Sequence, residues 1–368
     1  MGLVSGTPAV PSGRSDDSTS VVVGVLYPPE WYGDRDRFEA ELRELAALDP
    51  RISLVVETYV EPHELRSARG KPGADELRAQ APPLTDAQQA ALARCDVVVA
   101  IDLPFDVAGV APRLRWVQAV GAGTGQLQSA GLGEAGIRLT TAAGANAVAI
   151  AEFALGRVLQ EWKHFRALDD AQHEHHWEPQ YGHQLAGATL GLLGLGAINS
   201  AIAARAKAFD VRVLATRRSA TPGARAPNVD ELFAPDALHT MLGQCDAVIA
   251  AVPETPETSG LMDRAAFAAM PHGSFFCNVG RGSLVDEAAL VDALGSGQLR
   301  AAALDVASVE PLPADHPLWD APNLYLSPHS AAAPGALFAN LHELFRTNLA
   351  AYLAGAELAN EVDLGRGY

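Results

Sequence analysis

The sequence predicts an α/β protein built from two doubly wound parallel-sheet domains. Three observations carry that expectation. A chain of 368 residues is too long for one comfortable core and fits two domains of ordinary size. From Val21 onward, apolar runs short enough to be buried strands alternate with longer stretches of helical period, the pattern of a parallel sheet covered on both faces. A polar interval then ends at His183, and the alternation starts afresh at Thr189. With 48% hydrophobic and 19% charged residues, the chain has ample material for both cores.

Residues 1–20 are rich in Gly, Ser, Pro and Asp and lack the apolar run of a signal peptide, so a disordered tail is expected there. The first domain is expected over 21–150 together with 331–368. Its strands are predicted at Val21–Leu26, Ile52–Thr58, Val97–Ile101, Arg115–Ala119 and Ile137–Thr141, with helices at Asp34–Ala47 and Thr85–Ala93. Arg66–Pro83 carries Gly, Lys and three prolines and reads as a surface excursion with little regular structure. A helix is predicted over Val148–Gln160. The second domain, expected over 151–330, has strand patterns at Thr189–Leu193, Arg212–Ala215, Ala247–Ala251, Ser274–Asn278, Ala302–Asp305 and Leu324–Leu326. Six strands with helices between them make a full dinucleotide-binding sheet. The last helical pattern, Gly335–Ala354, can return across the first domain.

Several function classes are excluded by composition. A net charge of −17 without a local basic patch argues against nucleic acid, and no stretch approaches the ~18 apolar residues of a membrane span. Cys95, Cys245 and Cys277 are far apart and odd in number, which suits a reducing cytoplasm and suggests neither a disulfide framework nor a metal site. His173, His175, His176 and His183 crowd one polar stretch, but no cysteine or carboxylate spacing completes a zinc site, and they read as a solvated helix end and loop. Small-molecule chemistry remains.

The apolar run ending at Leu193 is followed by Gly194-Leu195-Gly196-Ala197-Ile198-Asn199 and then by a helical pattern. Backbone amides at such a helix start form an anion site for a dinucleotide pyrophosphate, with Gly194 permitting the tight turn and Gly196 the close approach of phosphate. The third position, normally Gly or Ala for close helix–strand packing, is Asn199, which implies looser or rearranged packing there. About 20 residues on, where an acid would hold the ribose of NAD, stands Thr216-Arg217-Arg218-Ser219. Two guanidiniums and two hydroxyls suit a 2′-phosphate, so NADP(H) is expected, with NAD the alternative if the arginines are only solvated.

Arg281, Glu310 and His329 each follow a predicted strand at its carboxyl end, where doubly wound sheets build their sites. Taken with Leu114–Gly123 (LRWVQAVGAG), Gly144–Leu155 (GANAVAIAEFAL), Val252–Leu261 (VPETPETSGL), Asn278–Glu287 (NVGRGSLVDE), Ala303–Pro313 (ALDVASVEPLP) and Pro317–His329 (PLWDAPNLYLSPH), they make the chain resemble the D-isomer-specific 2-hydroxyacid dehydrogenases from about Val97 to Ala354. The resemblance is closest in style to glyoxylate/hydroxypyruvate reductases. It implies a Rossmann-type nucleotide-binding domain, a flavodoxin-like substrate domain and a homodimer. It also implies a catalytic Arg281, Glu310 and His329. Cofactor contacts are implied at Gly194, Gly196, Ala197, Ile198, Thr216, Arg217, Arg218, Ser219, Val252, Pro253, Thr258, Val279, Gly280 and Asp305. Substrate contacts are implied at Gly121, Ala122, Gly123 and Arg281. A 2-oxo acid needs an anion clamp and a proton donor, which an arginine, backbone amides and a histidine supply. The competing expectation is a corepressor-like dinucleotide-binding protein without turnover. Its sign would be a partner-binding extension, and the chain is expected to end soon after the last helical pattern, with neither a long disordered tail nor the added regulatory domain of some phosphoglycerate dehydrogenases.

Overall fold

The computed structural model describes residues 20–70, 73–221 and 223–364; the tail expected at 1–20 lies almost wholly outside them. Two compact units emerge. The first comprises residues 20–119, Gly125–Thr140 and Leu349–Ala356, and the second Val120–Thr124, Thr141–Asn348 and 357–364. The loop Val120–Thr124 and residues 141–150, expected with the first domain, thus cluster with the second. Of the C-terminal stretch, Leu349–Ala356 alone clusters with the first.

The first unit is a sheet of five parallel strands, β1 (Val21–Val25), β2 (Ile52–Val56), β3 (Val97–Ala100), β4 (Trp116–Ala119) and β5 (Arg138–Thr140), in the order β2-β1-β3-β4-β5. This is the flavodoxin-like order. Two of its helices, Arg35–Ala47 and Asp86–Leu92, start where the sequence caps them. Asp34 accepts from Arg37 N, and Thr85 and Gln88 form a reciprocal capping box. The stretch 66–83 is not the irregular excursion expected from its prolines. A helix over His63–Arg69 ends in it, and a 3₁₀ segment runs over Ala74–Gln80. The helix is held by tertiary charge rather than by its own short length. Arg66 reaches Asp102 at 2.6 Å, and Arg69 is enclosed with Glu61.

The second unit has seven parallel strands, not six. They are β6 (Thr189–Leu193), β7 (Arg212–Thr216), β8 (Glu231–Phe233), β9 (Ala247–Ala250), β10 (Ser274–Asn278), β11 (Leu299–Leu304) and β12 (Leu324–Leu326). The order β12-β11-β10-β9-β6-β7-β8 is Rossmann-type. The additional strand, β8, is a three-residue edge with Phe233 alone buried, too short for a hydrophobic period to reveal. Neighbouring residues of a strand feed opposite cores. Phe276 of β10 joins the cluster of Met241, Phe267 and Leu290, while Phe275 and Cys277 join that of Val158, Ile202 and Val213. Burial on both faces is why these strands read as continuous apolar runs. The three cysteines are buried and free, and burial pushes the Cys95 thiol up to about 11 and those of Cys245 and Cys277 up to about 12.

Candidate active site

Chain order reverses between β6 and β9, and the carboxyl ends of those two strands carry the glycine turn and Val252. Gly194 adopts φ +78°, a left-handed conformation, and a Cβ there would stand 2.5 Å from Val252 Cγ1. Both facts require glycine. A Cβ on Gly196 would meet nothing within 4 Å, so the N-terminus of the helix Ala197–Ala206 opens onto clear space beside Ala197 and Ile198. That cradle fits a pyrophosphate.

Asn199 does not loosen the turn. It is fully buried, and its Nδ2 donates to the carbonyls of both Leu193 and Gly194 at 2.7 Å. The side chain therefore ties helix to strand where a small residue would have packed. Thr216 works from the other side, its hydroxyl accepting from Gly194 N at 2.8 Å. Arg217, Arg218 and Ser219 follow it as exposed residues at the end of β7. Beyond β9, Thr258 Oγ1 donates to Pro253 O at 2.7 Å and closes the loop that begins at Val252.

Arg281, Glu310 and His329 come together through backbone contacts between the loops that follow β10, β11 and β12. After β10, the buried Asn278 accepts from Gly280 N at 3.0 Å and donates to Arg281 O at 2.8 Å, fixing the turn through Val279. Gly280 lies against Val252 backbone, whose O and N would be 3.1 and 3.2 Å from a Cβ. At Gly282 a Cβ would fall 2.0 Å from the carbonyl of Ala307, so only glycine lets the arginine loop meet the loop that carries Glu310. Arg281 is half-buried, its Nη1 donates to Gly280 O at 2.8 Å, and its Nη2 would be 3.2 Å from a Cβ on Gly123. The guanidinium therefore stands beside the Gly121-Ala122-Gly123 loop.

His329 adopts φ +52°, uncommon for a residue with a side chain, and Asp305 holds it there. The Asp305 carbonyl accepts from His329 N at 2.8 Å, and its nearly buried carboxylate accepts from Ser327 Oγ, Ser330 N and Ala331 N at 2.6 to 3.0 Å. Glu310 Oε2 lies 3.0 Å from His329 Nδ1, and its Oε1 accepts from Ala307 N at 3.0 Å. With Nδ1–H directed at the carboxylate, Nε2 is the ring atom left to give or take a proton. The Glu310 hydrogen bond outweighs burial and raises the His329 pKa above its ordinary value. Burial opposes ionisation of Glu310, yet the His329 and Ala307 hydrogen bonds prevail and hold the carboxyl below its usual range. The pair is poised to carry an imidazolium.

The glycines flanking Arg281, Gly280 and Gly282, are readable in the sequence as points of close backbone approach, whereas Asn278, Ser327 and Ser330 are not read there as site residues. Asn278 alone left a signal there, as a polar residue closing the otherwise apolar Phe275-Phe276-Cys277 run. Among the described residues, no group of His, Cys, Asp and Glu is arranged to hold a metal ion, and no helix is long and apolar enough to cross a membrane.

Comparison with known proteins agrees with this geometry. Residues 155–331 match the NAD-binding domain of the D-isomer specific 2-hydroxyacid dehydrogenases. D-3-phosphoglycerate dehydrogenase of Mycobacterium bovis is 32% identical over 290 residues, covering 77% of this chain and 54% of that protein. The chain thus spans about half the length of the phosphoglycerate dehydrogenase that it matches. A D-isomer specific 2-hydroxyacid dehydrogenase from Xanthobacter autotrophicus, solved with NADPH and MES, superposes with a TM-score of 0.71 at 27% identity over 95% of this chain and all of that one. An NADPH-dependent glyoxylate/hydroxypyruvate reductase from Sinorhizobium meliloti, solved with NADP and sulfate, gives 0.70 at 25% identity over the same shares. With its glycine turn and its Arg281, Glu310 and His329 cluster, the chain carries over residues 155–331 the NAD-binding domain of the D-isomer specific 2-hydroxyacid dehydrogenases and is similar over nearly its whole length to solved members of that family.

Proposed function

We propose that this protein reduces a small 2-oxo acid, of the glyoxylate or hydroxypyruvate kind, to the D-2-hydroxy acid with NADPH. The observation that carries the reading is the His329–Glu310 pair, 3.0 Å apart, on loops packed against the one that bears Arg281. Arg281 would hold the substrate carboxylate and carbonyl oxygen, and amides of the Gly121–Gly123 loop would take the other carboxylate edge. His329 Nε2 would give its proton to the oxygen that becomes the hydroxyl, while Glu310 keeps the ring charged and oriented until that transfer. A bound NADPH would supply the hydride. Asp305 would keep the His329 loop in register, and Val252, Pro253, Thr258, Val279 and Gly280 would line the dinucleotide.

Preference for NADP is inferred from Arg217, Arg218 and Ser219, exposed at the end of β7 with no acid among them. In this reading the second unit is the dinucleotide-binding domain and the first the substrate domain, and the protein works in the cytoplasm as a homodimer. Steady-state kinetics on glyoxylate, hydroxypyruvate, pyruvate and bulkier 2-oxo acids, with NADPH and NADH in parallel, tests it. Turnover of a small 2-oxo acid with NADPH is expected. A strong NADH preference would overturn the role given to the arginines, and no oxidation of either cofactor would point to a dinucleotide-binding regulator instead.

A further inference from the structure

The loop carrying Glu310 is gripped by a second acid and imidazole that the mechanism above leaves unused. Glu287, in the first turn of the helix Glu287–Gly295, accepts from Ser308 N through Oε1 at 2.8 Å, and its Oε2 lies 3.5 Å from His316 Nε2. His316 Nδ1 in turn accepts from Leu318 N at 3.3 Å, which leaves the proton of the neutral ring on Nε2, toward Glu287. Gly282, on the same segment, lies against the backbone of Ala307 and Ser308. One stretch of chain therefore holds these two residues by contact at one point and by a charge-assisted hydrogen bond at another. Ala307 N donates to Glu310 Oε1, so their placement decides where the Glu310 carboxylate stands.

A carboxylate in a first helical turn is also favoured by the helix dipole. That accounts for an acid at this position but not for its aim. The cap of this helix is already Asp286, which accepts from Ala289 N at 3.0 Å, and Glu287 turns instead to a neighbouring loop.

We propose that Glu287 is a positioning residue for proton transfer, fixing Ser308 so that Glu310 meets His329, with His316 holding the Glu287 carboxylate in place. The proposal rests on the reading of His329 as proton donor and deepens it. Charged groups facing the His329 ring are Glu310, Arg281 and Asp305, and those facing Glu310 are His329 and Arg281. Glu287 acts on both through backbone alone.

The test compares Glu287→Met, an unbranched side chain without the carboxylate, with Glu287→Gln, whose amide oxygen still accepts from Ser308 N. Histidine NMR titration of the cofactor-free chain, with the His329 resonance assigned by its loss in His329→Gln, reads the pair without turnover. In Glu287→Met the His329 pKa is expected to fall toward 6.5, and kcat by about tenfold, within the range that misplacement of a catalytic group costs. The KM for NADPH is expected to stay within about twofold, since the glycine turn is untouched and uniform binding is unaltered. Glu287→Gln is expected to restore most of both losses. Wild-type His329 titration in Glu287→Met, or a Gln variant as impaired as the Met variant, would overturn the proposal. Should the wild-type protein reduce no 2-oxo acid, the functional reading fails, while the His329 titration still decides the role of Glu287.

Discussion

In the first unit Arg69 and Glu61 form an ion pair with neither side chain exposed, whereas in the second Glu310 and His329 meet with side chains 33% and 56% exposed. The buried pair is surrounded by further anchors. Arg69 donates to Ser129 Oγ at 2.9 Å and Leu103 O at 2.7 Å and lies 3.8 Å above the Phe105 ring, while Tyr59 OH donates to Glu61. Even so, among the described residues Glu61 Oε2 and Arg69 Nη2 have no hydrogen-bond partner. Burial raises the Glu61 pKa against the pull of Arg69. In the other pair the hydrogen bond, not burial, sets the direction of the His329 shift. One pair is locked and joins loops; the other stays open enough to exchange a proton.

The largest effect is expected where the open pair is broken. His329→Ala should lower kcat by about 10²- to 10⁴-fold while dinucleotide affinity, read by fluorescence titration, is unchanged. Full activity in that variant would place proton transfer elsewhere. Arg69→Met should instead leave the chemistry and remove stability, by about 3–5 kcal/mol in denaturant unfolding, because it strands a buried carboxylate. Adding Glu61→Gln should recover part of that loss. If Arg69→Met unfolds like the wild type, the contrast between the pairs collapses.

Arg217 and Arg218 extend the contrast, since in the proposed reading these exposed guanidiniums hold the cofactor 2′-phosphate. Replacing both with Ser should raise the KM for NADPH by about 10- to 100-fold, the worth of one hydrogen bond to a charged group, and leave that for NADH nearly unchanged. The smallest effect is on pH dependence. The His329 pKa lies above 6.5, so the stability from its charged form is complete below 6.5 and lost as pH rises through the raised value. Reduction, which needs the imidazolium, should weaken over the same rise. The Glu310 contribution has the opposite sense, complete above 4.5 and lost as pH falls through the lowered value. Glu310→Gln should move the alkaline limb of kcat/KM for reduction to lower pH, and an unmoved limb would mean that the pair does not set it.

Most of the architecture was legible in the sequence. Buried strands repeat with a local period, and those of both sheets fall within a few residues of prediction apart from short β8, whereas helices such as His63–Arg69, Phe165–His173 and Glu287–Gly295 were not placed. β8 is too short to show a period, and the helix His63–Arg69 is held by Asp102, far along the chain. Asn199 shows the same limit at the site. As a letter in the third position of a glycine motif it suggested loosened packing, and only its two bonds to Leu193 and Gly194 revealed a tie.

The sequence alone determined the alternation of strands and helices, the glycine turn after an apolar run, and the presence of Arg281, Glu310 and His329 just past three strands. Tertiary structure decided how those residues meet. Gly282 against Ala307, Asp305 across the His329 turn, Asn278 on the arginine loop and Glu287 on Ser308 are contacts between segments distant in sequence or within tight turns. Their energies depend on distances and angles that no local period encodes, so they appear only once the chain has closed on itself.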